Sequence, residues 1–108
     1  MTVLYRSADL LEGQAHGVQV ADRDIVLVRR NGRVYAYLNH CPHTGVNLEW
    51  LPDQFFDTSG EYLQCALHGA LFRVEDGHCV LGPCAGDALQ AIRVVELDGY
   101  IRLEQGNA

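Results

Sequence analysis

The chain contains no lysine: its positive charge comes entirely from eight arginines, set against fourteen acidic residues for a net charge of −6. Phosphate backbones require clustered positive charge, so nucleic acid is not an expected ligand. An acidic surface suits a basic protein partner, and it is also ordinary for soluble proteins. Long apolar runs are missing too. None approaches the roughly 20 residues of a membrane-spanning helix, and the first residues hold Arg6 but no apolar stretch of signal-peptide length. These absences predict a cytoplasmic, reducing setting without membrane contact, where four cysteines serve as ligands or reduced thiols rather than as staples. A helical apolar period is also lacking over any stretch of a dozen residues. With 108 residues and no repeat, low-complexity segment or linker, one small domain over residues 1–108 is expected.

What is present is strand and turn. Residues 3–6 read as a short edge strand, and Ser7 to Gly13 as a single helical turn with Ser7 as its N-cap and the glycine as its stop. Val18 and Val20 alternate with polar neighbours, Asp22-Arg23-Asp24 turns the chain, and residues 25–28 are continuously apolar. Asn31-Gly32 is the preferred two-residue hairpin turn, with residues 33–38 returning. Asp76-Gly77 joins residues 72–74 to 78–80, and Asp98-Gly99 joins 90–97 to 100–103. Residues 106–108 are expected to form a frayed tail. The expected class is all-β, built from hairpins.

Four residues stand apart from that scaffold. Cys41-Pro42-His43 and Cys65-Ala66-Leu67-His68 each supply one thiolate and one imidazole, and 21 residues separate them. Pro42 limits the backbone between the first pair, and Gly69 lets the chain turn closely behind the second. Thiolate and imidazole are ligands for zinc and for iron-sulfur clusters. Zinc fingers group two Cys and two His separately, often with the His pair on a helix. Here each loop mixes the two types and no helix is available, which favours iron-sulfur. A structural zinc domain stays chemically open, since two thiolates and two imidazoles satisfy tetrahedral Zn²⁺. Chance scatter of four reactive residues is the weakest reading.

The remaining candidates have plainer readings. Cys79 and Cys84 are near enough in sequence to pair, but reduced thiols are expected. His16, His40 and His78 are expected as surface or loop histidines. Trp50 with Leu48 and Leu51 would plug the space beneath the first loop, and Tyr35 and Tyr37 would pack on one strand face.

Asn39-His40-Cys41-Pro42-His43-Thr44-Gly45 and Cys65-Ala66-Leu67-His68-Gly69-Ala70-Leu71-Phe72 resemble the two boxes of the Rieske 2Fe-2S family. Gly82-Pro83, followed by Leu89, resembles that family's third, proline-containing loop over the cluster. The resemblance spans nearly the whole chain. It implies an antiparallel Rieske-type β-sandwich with a small cluster-binding subdomain, about residues 39–85, inserted as two loops. It also implies one 2Fe-2S cluster, with Cys41 and Cys65 on one iron and His43 and His68 on the other. The spacer between the boxes is longer than in many small members, and the excess falls in residues 53–60, read as a loop insertion.

Histidine ligation matters through charge. Two ferric ions, two sulfides and two thiolates sum to zero, whereas an all-thiolate oxidised cluster carries two negative charges. Adding an electron to the neutral cluster costs less, so the potential is higher. High-potential respiratory relatives add hydroxyls from a Ser and a Tyr after the second box, and an extra Cys in each box that forms a disulfide. Ala70, Phe72, Val46 and Leu67 occupy those positions here, so the sequence resembles the low-potential ferredoxin type. The implied role is one-electron carriage from a flavin reductase to a terminal oxygenase through exposed His43 and His68 edges, by a monomer or weak oligomer without catalytic residues of its own. Ring-hydroxylating oxygenases need a second, mononuclear-iron domain for which these 108 residues leave no room. The alternative is the small subunit of a cytoplasmic reductase such as nitrite reductase, whose members often lack ligands that are all retained here.

Overall fold

The structure, a computed structural model, describes residues 2–20, 22–40, 55–57, 59–65, 69–82 and 85–104. Nine strands run through them: β1 (Val3–Arg6), β2 (Ala15–Val20), β3 (Arg23–Arg30), β4 (Arg33–Leu38), β5 (Tyr62–Gln64), β6 (Leu71–Arg73), β7 (Cys79–Leu81), β8 (Val94–Leu97) and β9 (Tyr100–Leu103). They form three antiparallel sheets ordered β1-β9-β8, β2-β3-β4 and β5-β6-β7. The all-β expectation holds, and among the described residues no helix is long and apolar enough to cross a membrane.

The sheet β2-β3-β4 lies between the other two, and β3 shows why. A strand alternates its side chains between two faces, so a continuous apolar run needs a core on each side. Ile25, Val26, Leu27 and Val28 are all fully buried. Ile25 and Leu27 join Ala36 of β4 and Ile101 of β9 in one core, which Leu10 and Ile92 complete. Val26 and Val28 join Tyr37 in a second core with Phe55, Leu63, Phe72 and Val74 of the β5-β6-β7 layer. Burying one such aliphatic side chain contributes about 1.5–3 kcal/mol, so this strand anchors both layers.

All three Asx-Gly sites turn the chain between paired strands, two of them as two-residue hairpins. Asn31 and Gly32 have φ of 54° and 75°, and Asp98 and Gly99 have 56° and 82°, the left-handed pairs that a two-residue hairpin needs. At Asp76-Gly77 only the glycine is left-handed, at 73°. The Arg73 N–H donates to the His78 carbonyl at 3.0 Å, closing a four-residue loop instead. The Asp76 carboxylate accepts from the His78 N–H at 2.9 Å, holding Asp76 in the loop it helps to close.

Other expectations shift by register. Ser7 lies inside a 3-10 turn (Ser7–Asp9), where Arg6 takes the N-cap position without a side-chain bond. Arg23 and Asp24 belong to β3, because Val20 pairs directly with Arg23 and leaves only two residues for the turn. Residues 90–92 leave the expected long strand: Tyr37 bridges to Ala91, and the Leu38 N–H donates to the Gln90 carbonyl at 2.8 Å. The chain thus touches β4 first and crosses to the outer sheet as β8. His16 sits in β2 rather than a loop, its ring stacked on Tyr5 at 5.0 Å.

The supposed insertion is partly core. Phe55 is fully buried, and Phe56 bridges to Leu63. The Gln64 N–H donates to the Phe55 carbonyl at 2.7 Å and the Asp57 N–H to the Tyr62 carbonyl at 2.9 Å. Residues 55–57 therefore add a short fourth rung beside β5, with the Asp57 carboxylate accepting from the Ser59 hydroxyl at the turn. The Trp50, Leu48 and Leu51 plug and the tail at 106–108 lie outside the described residues.

Candidate metal centre

Both boxes start where a strand ends under tight backbone control. Box one follows β4. The Asn39 N–H donates to the Asp24 carbonyl at 2.8 Å, and the His40 N–H turns back to the Leu38 carbonyl at 2.9 Å. Asn39 is the buried polar side chain among the described residues, while His40 is exposed as expected. Cys41 and His43 follow directly and lie outside the described residues, as does His68.

Box two leaves β5 at Cys65, the one expected ligand that the structure describes. Its side chain is fully buried beside Leu63, Ala70 and Phe72. The loop is closed at its neck: the Cys65 N–H donates to the Ala70 carbonyl at 2.9 Å, and the Gly69 N–H to the Cys65 carbonyl at 2.8 Å. Gly69 takes φ of 70°, the left-handed turn that returns the chain into β6.

The third loop leaves β7 at Gly82 and presses on that neck. A Cβ built on Gly82 would lie 2.8 Å from Ala70 Cα, closer than real carbons pack, and 3.1 Å from Ala70 Cβ. The Ala85 N–H donates to the Gly82 carbonyl at 3.1 Å, and the Cys79 N–H to the Asp87 carbonyl at 2.8 Å, folding the loop back beside β7. Cys79 is buried with its thiol 3.3 Å from the Leu81 carbonyl; Cys84 lies outside the described residues. Leu89, the residue that follows the proline motif, is buried in the same core as Cys65.

Among the described residues no group of three or more His, Cys, Asp or Glu side chains is placed to hold a metal, three of the four expected ligands lying outside them. The residues present fit an iron-sulfur group. A buried thiol on a loop closed at its neck, backed by a glycine contact that admits no side chain, suits a thiolate ligand. The donor set expected from the sequence, two Cys and two His, is of the Rieske type.

Sequence reading missed the Gly82–Ala70 contact and two arginines, Arg29 and Arg30, at the end of β3. Gly82 carried a signal, since it precedes a proline in the loop; no local motif distinguishes the arginines from other strand-end charges. Burial of the Tyr37 phenol, against the acidic charge of Asp76, pushes its pKa well above the usual tyrosine range, and its hydroxyl donates to the Val74 carbonyl. It is a packing residue, as expected for Tyr35 and Tyr37.

The Rieske [2Fe-2S] domain profile matches residues 1–97. The ferredoxin component of the naphthalene 1,2-dioxygenase system of Pseudomonas putida is 30% identical over 76 residues, covering 70% of this chain and 68% of that protein. The ferredoxin component of the naphthalene 1,2-dioxygenase/salicylate 5-hydroxylase systems of Ralstonia sp is 32% identical over 79 residues, covering 73% and 71%. Among solved structures, the Sphingomonas yanoikuyae B1 ferredoxin superposes with a TM-score of 0.78 at 21% identity, covering 95% of this chain and 96% of that one.

Proposed function

The chain belongs to the Rieske [2Fe-2S] domain family, and from that premise we propose that it is a one-electron carrier, a low-potential Rieske-type ferredoxin that passes electrons from a flavin reductase to a terminal oxygenase. Its cofactor is a Rieske-type 2Fe-2S cluster, which when bound supplies one reversible electron. Family membership sets the structural zinc reading aside. The ferredoxin-component relatives favour an oxygenase as acceptor over a reductase-subunit role. The setting proposed is the cytoplasm, and the cluster-binding part is about residues 39–85, the stretch that holds β5 to β7.

In this reading Cys41 and Cys65 hold one iron and His43 and His68 the other. The observation that carries it is Cys65, fully enclosed at the closed neck of its loop. Gly82 packs against Ala70, and Val80 and Leu81 stand exposed next to it in sequence. Exposed apolar residues beside a ligand loop suit brief contact with a redox partner. Electron-transfer encounters are small and transient.

Potential is the direct test. Rieske centres span about −150 to +300 mV, set by hydrogen bonds to the sulfurs and by exposure. A hydroxyl donated to a sulfur stabilises the reduced cluster more than the oxidised one. Ala70 and Phe72 provide none, and both are fully buried, so a hydroxyl placed there would not be screened by bulk water. The reduced protein should give a rhombic EPR signal and a potential in the lower part of the range. Ala70→Ser and Phe72→Tyr should each raise it by tens of millivolts, since about 59 mV is tenfold for one electron. Voltammetry of the wild type decides the matter: a value near the positive end overturns the ferredoxin assignment.

Partner encounter gives a second expectation. With a net charge of −6 and no lysine, the protein should be steered onto a basic surface of its oxygenase or reductase. The second-order electron-transfer rate, followed by stopped flow, should fall as ionic strength rises. A flat dependence removes charge steering.

A further inference from the structure

Strand parity sends the last two residues of β3 to opposite layers. Arg29 shares a face with Ile25 and Leu27 and reaches the β1-β9-β8 side. Its Nε donates to the Leu10 carbonyl at 2.6 Å, Nη1 to the Gly32 carbonyl at 3.3 Å and Nη2 to the Ser7 carbonyl at 3.2 Å. Its two terminal nitrogens also grip both Glu96 carboxylate oxygens, at 3.1 and 2.7 Å. The Arg29 hydrogen bond holds the Glu96 carboxyl below the usual glutamate range.

Arg30 shares the other face with Val26 and Val28 and reaches the β5-β6-β7 layer. Nη1 donates to the Glu61 carbonyl at 2.6 Å and Nη2 to the Gly60 carbonyl at 2.7 Å. The guanidinium carbon stands 5.9 Å from the centre of the Phe56 ring, and Nη1 lies 4.0 Å from Glu75 Oε2. Its side chain is only 18% exposed. Glu61 immediately precedes β5 and Glu75 follows β6. One guanidinium therefore bonds the chain just before β5 and pairs with the carboxylate just past β6, at the open end of a hairpin whose closed end is the Cys65–Ala70 loop.

We propose that Arg30 is a positioning residue for the cluster, holding the β5-β6 hairpin, and through it Cys65, in register with the sheet that launches box one. The inference rests on the reading of Cys65 as a ligand. Box one leaves β4, which pairs with β3 along its length; box two leaves a different sheet. A cluster shared between them needs ligand atoms whose separation does not drift. Nonpolar packing of Phe55 and Phe72 presses the layers together but is non-directional. Paired, charge-assisted hydrogen bonds from a planar guanidinium to two successive carbonyls fix direction as well as distance.

Arg29 supplies the control, because it makes a comparable set of bonds on the wrong side for the cluster. Methionine at either position keeps most of the apolar stem and removes every donor. Both holoproteins are measured for melting temperature, for EPR line shape after reduction, and for the rate of iron loss to an excess of chelator well below melting. Arg30→Met should lose iron about tenfold faster, the factor carried by roughly one charge-assisted hydrogen bond, and should show broadened EPR lines. Arg29→Met should lower the melting temperature while keeping wild-type line shape and iron-loss rate. Arg30→Lys, with one ammonium in place of the fork, should fall between wild type and Arg30→Met, and it carries the test if the methionine variant does not fold. Wild-type iron loss and line shape in the Arg30 variants, or equal changes in Arg29→Met, overturn the proposal. A wild type without an iron-sulfur EPR signal overturns the functional reading instead.

Discussion

Alanine in place of Cys65 should leave a folded, colourless protein. The same outcome is expected for Cys41, His43 and His68, because each iron depends on two protein ligands and neither can be held by one. The effect is all-or-none: complete loss of the visible bands and of the EPR signal. Folding should survive at Cys65, since its fully buried side chain sits among Leu63, Ala70 and Phe72 and truncation removes a single sulfur. Far-UV circular dichroism separates cluster loss from unfolding. Cys79 and Cys84 provide the contrast. Serine at Cys79 keeps a donor for the Leu81 carbonyl, now 3.3 Å from the thiol, so Cys79→Ser and Cys84→Ser should retain the full signal. Loss of the signal in either serine variant would place that thiol in the cluster and break the proposed ligand set.

Gly82→Ala should be strongly damaging although Gly82 is not a ligand. Two costs add. Gly82 has φ of 105°, a conformation that side chains rarely adopt. A methyl there would also meet Ala70 Cα at 2.8 Å, and Ala70 is backbone in a loop closed on both sides, so it cannot step aside. Strain of about 1–3 kcal/mol plus overpacking of about 1–3 kcal/mol gives roughly 4 kcal/mol. At about 4 °C or more per kcal/mol for a domain of this size, melting should fall by about 15 °C or more. Gly86→Ala isolates the first cost: φ is 99° and nothing lies within 4 Å of the added methyl. It should destabilise by the strain alone and leave iron retention unchanged. Equal melting temperatures for the two variants would show that the Ala70 contact contributes nothing.

The Rieske assignment was legible because ligand chemistry is local. Mixed Cys/His pairs, each inside a few residues, name the donors without knowledge of how the chain folds. The three Asx-Gly turns were legible for the same reason. The length of the second was not, because the Asp76 side chain closes a wider loop through its own hydrogen bond to the His78 N–H. The apolar run in β3 was visible, but its meaning was not: alternation shows two faces, and only the stacking shows that each meets a different layer. Residues 53–60 looked like surplus length, whereas Phe55 proves to be core and residues 55–57 pair with β5.

The sequence by itself determined the cofactor class, the all-β character and the absence of respiratory hydroxyls, since each depends on which residue types stand within a few positions of one another. Tertiary structure alone decided that the β2-β3-β4 sheet carries two cores, that Gly82 bears on the second ligand loop, and that Arg29 and Arg30 serve opposite layers. Those facts depend on contacts between residues 12 to 67 positions apart, such as Gly82 with Ala70 and Arg29 with Glu96. No local pattern of residues encodes which distant backbone a strand-end arginine will meet. That choice is made only when burial of the apolar faces brings the layers together.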